Sequence, residues 1–255
     1  MPEEVSDAVT SYTANADFWI KIIRENLDRY RLGLTNPAVL DACGDVAGLR
    51  VLDGGCAEGY MSRELARRGA RVTGVDTCAP LVDAAVSAAE AEGWSATFGL
   101  CSLDDLPGRG SRYDLVVLNH VVQDIPDPAP AFKEIGRVTK PGGRVVIMML
   151  HPAFYSAHAE RTAADQPPAP ADYFSVRTVR QPFVVAGIES PAEVTVWLRP
   201  LEDYARLLRD NGFAITRLSE PHPTAEMVAE DPWWSKNFRR PLFLLIEGTK
   251  ALLPL

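Results

Sequence analysis

The 255-residue chain reads as an α/β protein built on a mostly parallel sheet with helices on both faces. Three observations carry that reading. Short apolar runs rich in Val, Leu and Ile alternate with longer stretches of helical period, the pattern of strands joined by crossover helices. Glycines cluster at 54, 55 and 59, directly after the first such run, where open parallel sheets turn to meet a ligand. Gly69, Gly93 and Pro141-Gly142-Gly143 then close the helical stretches one by one.

Taken in order, residues 49–53 form the first strand, and a helix over 61–68 ends at Gly69. Residues 71–76 form the second strand. Pro80 opens a helix over 81–92, Gly93 ends it, and 96–100 supply a weaker third strand. The fourth strand spans 113–119 and the next helix 129–138. Residues 144–150 are a continuous apolar strand suited to the sheet centre. This core runs from about residue 45 to 151. Residues 1–44 form an N-terminal helical cap whose Trp19, Ile22, Ile23, Leu27, Tyr30 and Leu34 share one face, expected over the ligand edge. Residues 152–200 are an insertion: a Pro- and Ala-rich stretch at 164–171 whose composition predicts mobility, then alternation at 183–186 and 194–197 that predicts a hairpin. A helix over 201–211, a strand over 213–218, a loop with Trp233 and Trp234 and a last strand over 241–248 complete the 45–255 domain.

Composition narrows the function. Hydrophobic residues make up 47% of the chain, enough for an extended core. The net charge of -8 argues against nucleic acid and anionic membranes, which call for clustered Lys and Arg, and leaves a small-molecule partner. Four cysteines at 43, 56, 78 and 101 lack both zinc-site spacing and the density of a disulfide framework, and no metal site is expected. The start Met1-Pro2-Glu3-Glu4 shows no signal-peptide pattern, so the expected location is cytoplasmic, as a monomer or homodimer.

The loop Gly55-Cys56-Ala57-Glu58-Gly59 misses the dinucleotide fingerprint, because Ala57 stands at the second glycine and the last glycine comes early. Its neighbours are more specific. Asp53 ends the first strand before Gly55 and Gly59; Asp76 ends the second; Cys101-Ser102-Leu103-Asp104 follows the third. Asn119-His120 follows the fourth strand and Lys140-Pro141-Gly142-Gly143 precedes the fifth. This ordered set resembles the class I S-adenosylmethionine-dependent methyltransferases, with Ala57 and Ser102 as departures. The similarity covers about 45–151 and resumes at Arg199-Pro200-Leu201-Glu202-Asp203-Tyr204 and Gly212-Phe213. It implies a Rossmann-like, doubly wound sheet of seven strands with an antiparallel final strand inserted between its two predecessors. It also implies S-adenosylmethionine as cofactor and S-adenosylhomocysteine as product.

Cofactor-binding candidates are Tyr12, Trp19, Tyr30, Asp53, Gly55, Cys56, Gly59, Asp76, Thr77, Ser102, Leu103, Asn119 and His120. The resemblance gives Asp76 the ribose hydroxyls and Ser102 the adenine amine. Several of these residues also have a plainer reading: Asp53 bonds its own loop, Asn119 caps a helix, and Tyr12, Trp19 and Tyr30 simply pack a helix on the core or else close over a sulfonium. His120 and His151 are the candidate general bases, since both end strands at the reaction edge; packing is the alternative. Tyr155, Tyr173, Phe174, Trp197, Trp233 and Trp234 lie outside the common core, and if they line a pocket the acceptor is partly apolar or aromatic. The expected activity is methyl transfer to a small molecule, oxygen favoured over nitrogen, with secondary metabolism as one expected setting. The rival readings are a relative that binds the cofactor structurally while catalysing a cyclisation or sensing a ligand, and a nicotinamide dehydrogenase.

Overall fold

The computed structural model describes residues 2–155 and 173–252; the Pro- and Ala-rich stretch at 164–171 lies outside them. Among the described residues, seven strands form one sheet. In its parallel part, β1 (Arg50–Gly54) lies between β2 (Arg71–Asp76) and β4 (Tyr113–Asn119), which places Asp53 level with Gly74 and Val117. Outside β2 lies β3 (Ala96–Leu100). Beyond β4 lies β5 (Thr139–Leu150). Leu115, Val116, Val117 and Leu118 are wholly buried, as expected of a strand covered on both faces. The covering helices are α4 (Tyr60–Arg67), α5 (Ala79–Glu92) and α6 (Ala129–Val138).

Pro141-Gly142-Gly143 separates helix from strand less cleanly than the sequence suggests. β5 already begins at Thr139, opposite Tyr113, and the ladder shifts register before resuming with Leu115 opposite Arg144. After the insertion, α7 (Leu201–Asp210) leads to β10 (Phe213–Ser219), α8 (Ala225–Glu230) and α9 (Trp233–Asn237) follow, and β11 (Phe243–Lys250) enters between β10 and β5, antiparallel to both.

The cap differs from the single amphipathic face expected. It comprises α1 (Pro2–Ala14), α2 (Ala16–Arg24) and a π-helical turn (Arg31–Thr35) that runs into α3 (Asn36–Cys43). Asn15 separates α1 from α2 because its buried carboxamide is committed elsewhere: Nδ2 donates to Ala192 O at 2.9 Å and Oδ1 accepts from Ala192 N at 2.8 Å. Val39, Ala42 and Cys43 of α3 join the main core beside Val51 and Val146.

The insertion also pairs differently from the expected hairpin. Residues 194–197 fall in β9 (Val194–Leu198), whose partner is β6 (Arg177–Gln181), while β7 (Val184–Val185) folds back on β8 (Ile188–Glu189). Ala186 and Gly187 both take left-handed backbone, with φ 52 and 78, so a two-residue turn closes β7 on its immediate neighbour before it can reach β9. The insertion meets the cap where Ser11 Oγ donates to Glu193 O at 2.5 Å and where the rings of Trp19 and Phe183 lie 4.6 Å apart, edge to face.

Candidate active site

The carboxyl ends of β1, β2 and β4 open into a cavity of about 1290 Å³, covered by the cap, the insertion and α9. That exceeds the ~300–1,000 Å³ of a typical single-ligand pocket. Its floor is the glycine loop. Gly55 has φ 71, and its N–H and that of Cys56 both donate to Val75 O, at 2.8 and 3.0 Å. A Cβ at Gly55 would stand 2.5 Å from Val121 Cγ2, so glycine is required here by close packing as well as by conformation. Ala57 accepts a left-handed φ of 47, a cost of roughly 1–2 kcal/mol for a residue with a Cβ. Its N–H donates to Asp76 Oδ2 at 2.8 Å, and Cys78 N donates to Asp76 Oδ1 at 2.9 Å. Asp76 thus ties two loops together while facing the cavity, and burial raises its pKa against those hydrogen bonds.

Gly59 sits apart from these groups. It lies outside the cavity wall; with φ 82 it begins α4, and an added Cβ would meet Ala85 Cβ at 3.0 Å and Phe98 at 3.1 Å. Its absent side chain serves helix–strand packing. Asp53 does reach the wall, yet it is buried and accepts the Ser62 hydroxyl at 2.6 Å. Burial pushes it up to about 6. Cys56, Thr77, Ser102 and Leu103 also line the cavity, together with Tyr12, Trp19 and Tyr30 of the cap segment.

At the exit of β4, Asn119 and His120 face the same space. His120 holds a left-handed φ of 60, pinned by its N–H to Met148 O at 2.8 Å and by Gln123 Nε2, which donates to its carbonyl at 2.6 Å. Burial drives its imidazole down to about 4, so the ring is neutral at physiological pH and a weak base. Asn119 does not cap the turn that follows, whose N-cap is Val121, and its Oδ1 is buried without a partner among the described residues. His151 also sits apart. It is 6% exposed and lies off the cavity wall, its Nδ1 accepting Ala153 N–H at 3.2 Å and its Nε2 lying 2.9 Å from Glu220 Oε1. Both ring nitrogens are engaged in holding the chain after β5.

Of the aromatics outside the common core, Tyr155 and Trp233 line the cavity, whereas Tyr173, Phe174, Trp197 and Trp234 do not. Trp234 packs behind the wall, where a Cβ at Gly33 would come within 2.9 Å of its ring. Tyr30, Trp233 and Phe243 form one aromatic flank, with Tyr30 5.1 Å from Trp233 and 5.7 Å from Phe243, and Phe243 meets His120 edge-on at 5.5 Å.

Two residues escape the sequence reading. Arg31, on the π-helical turn, stacks over Tyr60 at 4.4 Å and donates from Nη2 to Ile23 O, but its Nε and Nη1 are buried at the cavity wall without partners among the described residues. Asp124 accepts the Tyr12 hydroxyl at 3.0 Å, and desolvation pushes its carboxyl up to about 8. Only folding brings Arg31 to the glycine loop. Asp124 did leave a trace, as a carboxylate set between Val121-Val122 and Ile125 just past a strand's ligand edge.

These groups fit a ligand that is a nucleoside at one end and a zwitterionic amino acid at the other. A carboxylate stands at the end of β2, unpaired guanidinium donors await an anion, and an orphaned amide oxygen awaits a donor. The family described as methyltransferase domain matches residues 52–147. The chain is similar to the ubiquinone biosynthesis O-methyltransferase of Xanthomonas oryzae pv. oryzae (strain PXO99A), 29% identical over 194 residues, 72% of this chain and 77% of that protein. The protein of the same name from Xanthomonas euvesicatoria pv. vesicatoria (strain 85-10) is 30% identical over 182 residues, covering 69% and 72%. Among solved structures, an S-adenosylmethionine-dependent methyltransferase from Mesorhizobium loti superposes with a TM-score of 0.64 at 23% identity, over 84% of this chain and 96% of that one. The chain belongs to the class I S-adenosylmethionine-dependent methyltransferases, with S-adenosylmethionine as its cofactor.

Proposed function

We propose that this methyltransferase acts on a hydroxyl group of a small acceptor that is partly apolar or aromatic, such as a phenol. One observation carries the reading: the cavity is too large for the cofactor alone, and its surplus is flanked by Tyr30, Trp233 and Phe243. The name O-methyltransferase on the relatives supports oxygen as the acceptor atom. The bound cofactor supplies an electrophilic methyl on a sulfonium, and the leaving group is a neutral thioether.

The protein's own task is alignment, which contributes up to about 7–11 kcal/mol in well-oriented reactions. Asp76 and Ser102 hold the nucleoside end, and Arg31 receives the amino-acid carboxylate through Nε and Nη1. Thr77 and Leu103 border the nucleoside, while Asp53 and Cys56 shape the floor. Tyr12, Trp19 and Tyr30 close over the pair and exclude water. Neutral His120 packs on Phe243 and contributes shape rather than basicity.

The test is a screen with methyl-labelled S-adenosylmethionine against phenols, carboxylates and amines, secondary metabolites among them. Turnover is expected with phenols. Transfer to amines only, or none to any acceptor despite tight cofactor binding, would overturn the reading, the second result favouring a structural or cyclising use of the cofactor.

A further inference from the structure

Asp124 closes the short 3₁₀ turn (Val122–Asp124) after β4, and its two carboxyl oxygens are treated unequally. Tyr12 Oη of α1 and Gln123 Nε2 both donate to Oδ2, at 3.0 and 3.1 Å. Oδ1 is buried and accepts from no group among the described residues. Asn119 Oδ1 and Gln123 Oε1, on the same strand exit, are also buried without partners. Gln123 is 3% exposed, and all three residues belong to the cavity wall. An unpaired buried acceptor is costly, so the Asn119 and Gln123 oxygens, and Asp124 Oδ1 once its proton has left, call for a ligand that brings hydrogens of its own.

The hydrogen bonds from Tyr12 and Gln123 favour the ionised carboxyl, but desolvation outweighs them. Asp76 of β2 adds negative potential, and Tyr12 is itself held protonated by burial, by Asp124 and by Tyr155. His120 stays neutral. The Arg199 guanidinium is spent on the carbonyls of Trp197, Ile125 and Pro126.

We propose that Asp124 takes the acceptor's hydroxyl proton, and that the sulfonium charge of the bound cofactor switches it into the ionised form able to do so. This inference rests on the hydroxyl reading above. In the free protein the carboxyl is pushed up to about 8 and so is mostly protonated at neutral pH. A single positive charge held at about 6 Å would lower a carboxyl pKa by roughly two at an effective dielectric of about 20. Asp124 is then a carboxylate while the sulfonium is present.

During transfer the acceptor O–H breaks and its proton moves to Asp124 Oδ1. The new O–CH₃ bond forms as S–CH₃ breaks, and the electron pair stays on sulfur. One sulfonium and one carboxylate become a neutral thioether and a carboxylic acid. Loss of the nearby cation restores the high proton affinity of Asp124 as the proton arrives, so the base strengthens along the reaction. The proton leaves to solvent with the products.

Calorimetric titration of the full-length protein at pH 7, in buffers of different ionisation enthalpy, counts protons exchanged on binding. S-adenosylmethionine is expected to release nearly one proton more than S-adenosylhomocysteine. Asp124→Asn should erase that difference while keeping the dissociation constant of each ligand within about tenfold, and should lower kcat by ~10²–10⁴-fold. Equal proton counts for the two ligands in the wild type, or an undiminished difference in Asp124→Asn, would overturn the proposal. A protein that shows the difference but methylates only amines sinks the hydroxyl reading and, with it, the hydroxyl proton transfer. One that methylates hydroxyls without the difference sinks this proposal alone.

Discussion

Tyr12 and Asp124 stand 112 residues apart in the chain, and the tyrosine hydroxyl donates to Asp124 Oδ2 at 3.0 Å. Through that bond the cap segment reaches the reaction edge of the sheet. The same contact seals a carboxyl away from water, which makes Asp124 a liability for stability.

The sign of that liability is fixed. Folding raises Asp124 from 3.8 to about 8, so between those values the folded state binds a proton that the unfolded chain has released, and stability falls as pH rises. The penalty is complete above about pH 8. Asp124→Asn removes the ionisable group and keeps the shape, so its Tm should exceed the wild type's at pH 8.5 by at least ~2 °C, since 1 kcal/mol shifts a domain of this size by about 2–4 °C. The gap should close near pH 4. Thermal melts across that range check it, and a gap independent of pH would contradict it.

Arg31 and Asp76 anchor opposite ends of the proposed cofactor site. A hydrogen bond to a charged group contributes roughly 1.5–3 kcal/mol, so Arg31→Met should weaken S-adenosylmethionine and S-adenosylhomocysteine alike, about ten- to a hundred-fold. Both ligands carry the same carboxylate. Asp76→Ala should lose at least as much, because Ala57 and Cys78 N–H groups lose their acceptor with it. Equilibrium titration reads both, and an unchanged affinity removes the residue from the site.

His151 should matter to the fold and not to the chemistry. Loss of its contacts to Ala153 and Glu220 predicts a Tm lower by a few degrees in His151→Ala, with kcat within about twofold of wild type. His120 remains neutral across the working range, so His120→Asn should leave the shape of the pH–rate profile unchanged even where it lowers the rate. A profile that moves with His120 would restore it as a base.

Asn15 joins the cap to the insertion through two hydrogen bonds to Ala192 and is itself fully buried. Asn15→Ala leaves the Ala192 N–H and C=O unpaired, at a cost of roughly 1–3 kcal/mol. Faster dissociation of S-adenosylhomocysteine is expected, read by stopped-flow fluorescence of Trp19, whose ring packs on Phe183 in the same clasp. A dissociation rate equal to wild type would show that the clasp does not control exit.

The strands of the parallel core were legible because buried strands are apolar runs of fixed length and their helices end on glycine. β1 to β4 lie within a residue or so of their expected bounds. β6 was not legible: Arg177-Thr178-Val179-Arg180-Gln181 alternates weakly, and its pairing with β9 depends on a local turn at Ala186-Gly187 that takes β7 out of competition. The break at Asn15 was equally hidden, since its partner lies 177 residues away.

The sequence alone determined the sheet, the glycine loop, the family and the carboxylate at the end of β2, all of which follow from local periodicity and fixed spacing. Tertiary structure decided which candidates face the cavity. It turned His151 away into its contact with Glu220, gave Gly59 to packing, and brought Arg31 and Asp124 in. Burial and orphaned hydrogen-bonding atoms belong to no residue by itself; they arise only where distant segments close over one another and exclude water.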